Sequence, residues 1–249
     1  YQQHRLPTQR GTLLAEYNFN NESTSDSVLD RDAVFYNDEE IDKATYTEGI
    51  CGKALQLSKQ GTEEQYWLDI PYRVFGGNNA DPFTISIWYR SDGCNADGVS
   101  TELFTLYNSL EEKYMYYTPS AVDIPEEGSA NNWSGLHGYA SVSHAYKASE
   151  WTHLVFTVGT KGTQSIINAY VNGKTISINR GGDWTNSLMS LMGIDHLTIG
   201  GRNPYRLSSN ENNYPTFYGC VDEIQLYAGE LTQEEALELY EQQVNLWIE

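Results

Sequence analysis

Apolar and polar residues alternate with a period of two along much of this chain, the spacing that places every second side chain on one face of a β-strand. The longest such stretch is Phe217-Tyr-Gly-Cys-Val-Asp-Glu-Ile-Gln-Leu-Tyr227. On an unbroken period Asp222 shares a face with Ile224 and Leu226, so a carboxylate is carried toward the expected core. A buried carboxylate needs backbone N–H groups, an arginine or a metal ion as partner. Ala15, Tyr17 and Phe19 mark the first strand, and 54–57 and 66–70 two more, with Leu68 and Ile70 opposite Trp67 and Asp69. Phe83, Ile85 and Ile87 form the inward side of a further strand, and Trp88 lies on its other side with Thr84 and Ser86. A covering layer there would make Trp88 structural; an open face would make it a stacking platform. Leu154, Phe156 and Val158 alternate cleanly, leaving His153 opposite them as a hydrogen-bonded strand residue. Segments 166–171 and 174–178 flank Asn172-Gly173, a strong hairpin signal.

The period then changes. In Leu231-Thr-Gln-Glu-Glu-Ala-Leu, Thr232 and Glu235 form a capping box that opens a short C-terminal helix with Ala236, Leu239 and Tyr240 inward. Elsewhere the pattern lapses. Residues 1–11 read as a tail or linker remnant, and Asn20-Asn-Glu-Ser-Thr-Ser-Asp26 as a loop rich in short oxygen-bearing side chains. The stretches 107–148 and 202–215 are irregular insertions, and 188–194 is an apolar run suited to a short helical turn. We expect residues 12–249 to form a single domain, a length that β-sandwiches reach as one unit.

Charge narrows the partners. The chain holds 34 Asp and Glu against 15 Lys and Arg, a formal net charge of −19. Such a field repels nucleic acid and anionic membrane surfaces and favours cations and neutral ligands. No apolar run is long enough to cross a bilayer. The chain opens on Tyr1 rather than methionine, so we expect further sequence, and other domains, upstream. Cys51, Cys94 and Cys220 lack metal-ligand spacing. Strand parity turns Cys51 and Cys220 inward, and both a disulfide between them and two buried thiols stay open.

Gly219-Cys-Val-Asp-Glu-Ile-Gln-Leu-Tyr227 followed by Leu231-Thr-Gln-Glu-Glu resembles the closing strand and helix of bacterial-type laminin-G-like jelly rolls in the concanavalin A-like lectin/glucanase superfamily. Leu14-Ala-Glu-Tyr-Asn-Phe19, Gly52-Lys-Ala-Leu-Gln-Leu57, Pro82-Phe-Thr-Ile-Ser-Ile-Trp88 and Trp151-Thr-His-Leu-Val-Phe156 recur in the family's order, as do Tyr170-Val-Asn-Gly173 and Thr198-Ile-Gly-Gly201. The resemblance implies an all-β, two-sheet antiparallel β-sandwich closed by a short helix. It also implies a structural calcium ion held by Asn20, Asp26 and Asp222, because the loop after the first strand and the closing-strand aspartate lie together in that family. Asp38-Glu-Glu-Ile-Asp42 resembles the acidic strand motif of laminarinase-type glycosidases, but Ala44 stands where the third carboxylate belongs and the run reads as a loop, so we reject it.

The fold alone does not fix a function. No nucleophile elbow, phosphate-binding glycine loop, zinc spacing or complete carboxylate pair is present. The expected function is a non-catalytic, lectin-like carbohydrate-binding module of a secreted or cell-surface protein. Trp133, Trp184, Tyr205 and Tyr214, in loop-like segments, are the candidate platforms for a polysaccharide or glycan. A structural or protein-binding adhesion module is the alternative, and a glycoside hydrolase or lyase a further one.

Overall fold

The computed structural model describes residues 11–37, 40–59, 64–71, 82–92, 103–108, 113–118, 121–124, 138–142, 149–161, 164–176, 178–182, 195–200 and 217–248. The strands among these are β1 (Thr12–Tyr17), β2 (Val34–Asn37), β3 (Glu40–Ile41), β4 (Thr45–Glu48), β5 (Lys53–Gln56) and β6 (Tyr66–Ile70). Then come β7 (Phe83–Ser91), β8 (Phe104–Asn108), β9 (Lys113–Thr118), β10 (Ala121–Ile124), β11 (Gly138–Val142) and β12 (Trp151–Lys161). The last are β13 (Gln164–Val171), β14 (Lys174–Thr175), β15 (Ile178–Gly182), β16 (His196–Ile199) and β17 (Gly219–Ala228), followed by the helix α1 (Gln233–Ile248).

They form the two-sheet sandwich that the alternation and the resemblance lead one to expect. An eight-stranded sheet runs β14-β13-β12-β7-β17-β5-β4, with β1 also pairing to β17, and a nine-stranded sheet runs β15-β11-β10-β9-β8-β16-β6-β2-β3. Apolar residues from both inner faces make one core, among them Tyr17, Leu55, Ile85, Leu154 and Leu226 from the first sheet and Phe35, Leu68, Phe104 and Leu197 from the second. Each large side chain removed from water contributes roughly 1.5–3 kcal/mol, which offsets the ordering of so many long-range strands.

A second, smaller cluster lies on the outside of the eight-stranded sheet. There Val155, Tyr170 and Tyr227 pack against Leu231, Ala236 and Leu239 of the helix and its approach. The capping box forms as expected: Thr232 donates its amide to Glu235 Oε2 at 2.6 Å, and Glu235 returns its amide to Thr232 Oγ1 at 3.3 Å. The Asn172-Gly173 hairpin also forms, both residues in the left-handed region (φ 50° and 73°) that a tight two-residue turn requires. Trp88 is covered: its indole N–H donates to Gln243 Oε1 of α1 at 2.7 Å.

The closing strand differs from the expected pattern. A bulge between Asp222 and Gln225, with Glu223 at φ 45°, resets the strand's parity, so Val221, Ile224 and Leu226 all face the core. Asp222 pairs in register with Trp88, and Gln225 with Ser86, which puts them on the outer side. Cys220 likewise sits opposite Arg90, whose Nη2 donates to its sulfur at 3.3 Å, and the thiol faces Gln56 Oε1 at 3.4 Å. Burial pushes the Cys220 thiol up to about 11, with Arg90 pulling the other way. Cys51 occupies the turn before β5 rather than a strand, and no disulfide joins it to Cys220. The rejected acidic run ends in the exposed two-residue edge strand β3; its Asp38 and Glu39, like Cys94 and the apolar run 188–194, lie outside the described residues.

Candidate functional site

Two places gather polar chemistry. The first is the turn 49–53, gripped from both sides. Asp222 Oδ2 accepts the amides of Ile50 at 2.9 Å and Cys51 at 3.4 Å, while Oδ1 accepts that of Glu223 at 2.8 Å. Asn20 Oδ1 accepts the amide of Lys53 at 2.8 Å. Approach is so close that a Cβ on Gly49 would collide with Asp222 Oδ2, and one on Gly52, at φ 83°, with Asn20 Oδ1. Both positions therefore require glycine.

Asp222 lies against Glu223, and Glu16 adds its charge nearby. Burial pushes Asp222 up to about 8 against the three amide hydrogen bonds that favour its ionised form. Burial, then the charges of Asp222 and Glu16, push Glu223 up to about 9. The two titrate as a unit. With three N–H donors on it, Asp222 ionises first and Glu223 keeps the proton.

As to calcium, the residues divide. Asn20 and Asp222 bring hard oxygen donors to one turn, the donor type that calcium takes. Asp26 is engaged elsewhere: Oδ1 accepts the amides of Glu16 and Val28, both at 2.9 Å, and Oδ2 that of Leu29 at 3.1 Å, so its carboxylate ties its own loop to β1. Among the described residues no group of three or more His, Cys, Asp or Glu side chains is placed to share a metal.

The second place is the outer face of the nine-stranded sheet. Phe35, Leu68, Ile70, Phe104, Leu197 and Ile199 point into the core, so their strand neighbours Tyr36, Trp67, Asp69, Thr105, His196 and Thr198 face away from it. Tyr36 and Trp67 are register partners, and their rings stack at 4.2 Å and 6°. Asp69 grips His196 Nδ1 with both oxygens, at 3.0 and 3.2 Å. Burial pulls the His196 imidazole down, but the Asp69 hydrogen bond and charge, with Asp195, outweigh it and leave the ring above its ordinary range. Burial, then Asp69, raise Tyr36. Trp67 and Asp69 are only 2% and 3% exposed although they face away from the core. Between Asp69 and Thr105 in register, the fully buried Thr198 hydroxyl makes no hydrogen bond.

Trp133, Trp184, Tyr205 and Tyr214 all lie outside the described residues. Sequence reasoning placed Trp67 and Asp69 together opposite the core but did not single them out. What marks them is the pairing of β6 with β2 and β16, which brings in Tyr36 and His196 from positions 31 before and 127 after their partners.

Comparison with solved structures finds the same fold at low sequence identity. Domain 4 of AbnA, a GH43 extracellular arabinanase from Geobacillus stearothermophilus solved with arabinotriose, aligns over 93% of this chain and 100% of its own, at 19% identity and a TM-score of 0.60. A botulinum neurotoxin type C structure, whose cell entry depends on two ganglioside molecules, aligns over 94% of this chain and 51% of its own, at 11% identity and a TM-score of 0.59. Trypanosoma rangeli sialidase aligns over 97% of this chain and 34% of its own, at 15% identity and a TM-score of 0.59. This chain thus spans about half of the toxin structure and a third of the sialidase. No protein of curated function matches it by sequence. A laminin-G-type family model matches residues 62–236, and by that match over most of its length the chain belongs to the concanavalin A-like lectin/glucanases superfamily.

Proposed function

We propose that the chain is a non-catalytic carbohydrate-recognition module and that it takes its glycan on the outer face of the nine-stranded sheet. One observation carries this reading. The outer face of the eight-stranded sheet packs against α1, whereas the other sheet's outer face presents the half-buried Tyr36 ring, backed by the buried Trp67, beside the half-buried His196, which Asp69 holds from below. An aromatic edge for sugar C–H groups next to a fixed donor and acceptor for hydroxyls is the usual chemistry of such sites. The Asp69 carboxylate on that face is committed to His196, whereas glycoside hydrolysis needs two available carboxyl groups. The charge of −19 favours an uncharged glycan over an anionic one.

The arabinotriose complex of the arabinanase domain, which this chain covers completely, supports the same class. Trp133, Trp184, Tyr205 and Tyr214 enter the proposal as rim platforms, and calcium as a stabilising ion at Asn20 and Asp222. A secreted or surface-attached setting, joined to other domains, fits the extracellular enzyme of which that relative is a part. No helix among the described residues is long and apolar enough to cross a membrane.

Calorimetric titration with neutral arabino- and gluco-oligosaccharides, alongside an assay for released reducing sugar, is the test. Binding without hydrolysis is expected, weakened at least tenfold by Tyr36→Ala. Binding unchanged by Tyr36→Ala but lost on Trp133→Ala with Trp184→Ala would move the site to the rim. Hydrolysis would overturn the non-catalytic reading.

A further inference from the structure

The face of the eight-stranded sheet beneath α1 holds a histidine that sheet packing does not require. His153 is completely buried, its ring stacked at 4.9 Å on Trp88 and at 6.0 Å on Tyr240 of the helix. Nε2 shares a 2.8 Å hydrogen bond with Ser86 Oγ, and Nδ1 has no partner. The backbone of His153 is fixed independently: its N–H donates to Asn172 Oδ1, and its C=O accepts the Asn172 N–H, both at 2.9 Å. The ring is therefore a spacer between sheet and helix, joined to α1 through Trp88, whose indole holds Gln243, and through Tyr240, which stacks on both rings.

We propose that His153 is a proton-sensitive latch for α1: a proton taken up by this ring loosens the helix from the sheet. Whichever tautomer the neutral ring holds, the imidazolium carries an Nδ1–H that has no acceptor among the described residues in a fully buried layer. The groups facing it are Ser86 and Trp88 of β7, Asn172 of the β13–β14 turn, and Tyr240 and Gln243 of α1; of these only Tyr240 has a titratable side chain, a phenol. In the same row on β17, beyond Trp88, Asp222 turns its carboxyl to the amides of Ile50 and Cys51. Among the described residues no charge acts on the ring, and burial alone pushes it down to about 3. Contact with two aromatic faces offsets only part of the cost of desolvating an unpaired charge.

The sign follows from linkage. A histidine depressed in the closed form and ordinary in the open one favours closure above about pH 6.5, and the advantage drains away as pH falls toward 3. The helix-opening constant should then rise about tenfold per pH unit between about pH 6 and 4. Opening would uncover Val155, Tyr170 and Tyr227 while leaving the inter-sheet core intact.

Amide hydrogen exchange on the full chain across that range reads the latch directly. The expected result is loss of protection in 233–248 that tracks pH, with β7 and β12 still protected, and a pH response at least tenfold smaller in His153→Phe, which keeps the stack but cannot titrate. Helix protection that does not change with pH, or that falls equally in the variant, overturns the latch. Should the variant not fold, labelled-histidine NMR of the unaltered protein decides: a ring that stays neutral until α1 opens supports the proposal, and one that protonates under a still-protected helix overturns it.

Discussion

Asp222 Oδ2 accepts the amide of Ile50 at 2.9 Å across 172 positions of sequence, joining the closing strand to the turn that precedes β5. Removing the carboxyl leaves the amides of Ile50, Cys51 and Glu223 without their acceptor in a buried place. Each unsatisfied buried donor costs about 1–3 kcal/mol, so Asp222→Ala should destabilise by at least about 2 kcal/mol. Urea denaturation at neutral pH measures it. A loss within error of zero would mean that the turn stands without this grip.

Glu223 should act in the opposite sense. Its raised pKa, from burial and then from the charges of Asp222 and Glu16, means that the folded state prefers the protonated carboxyl. That contribution is present below the unfolded value near 4.3 and is lost as pH climbs toward about 9. Glu223→Gln should therefore leave stability unchanged at pH 4 and raise the melting temperature progressively toward pH 9. A variant less stable at pH 9 than the unaltered protein contradicts this.

For the proposed calcium at Asn20 and Asp222, chelator should lower the melting temperature of the dialysed protein with added calcium. Asp222→Ala should abolish the difference. Equal melting with calcium and with chelator would leave the turn braced by hydrogen bonds alone.

His196 is raised above its ordinary range once the Asp69 hydrogen bond and charge have outweighed burial. Its contribution is thus full below about pH 6.5 and fades as pH rises through the raised value. The stability advantage of the unaltered protein over Asp69→Asn should be larger at pH 5.5 than at pH 8.5. If glycan binding uses this face, affinity should weaken over the same interval while the helix stays protected.

Alternation alone marked strands at 14–19, 66–70, 83–89 and 151–158, which overlap β1, β6, β7 and β12, because runs such as Phe83, Ile85 and Ile87 or Leu154, Phe156 and Val158 keep one face apolar. The helix was readable from Thr232 and Glu235, whose reciprocal bonds are local. Asp222 was read onto the wrong face because a bulge inserts a residue without any composition signal: neither Asp222 nor Glu223 is a glycine, and only the pairing with β7 reveals the shift. Tyr36 with Trp67 and Asp69 with His196 were illegible for a different reason. Each joins strands whose adjacency is a property of the whole sheet, and sequence spacing carries no trace of it.

The strand made near the end of the chain occupies the middle of its sheet, with β7 on one side and β1 and β5 on the other. During synthesis those three therefore wait with unmet backbone edges until residues 219–228 leave the ribosome. Folding of this sheet is a late insertion rather than a progressive zipping, with the edges of β7, β1 and β5 open to mispairing until β17 arrives.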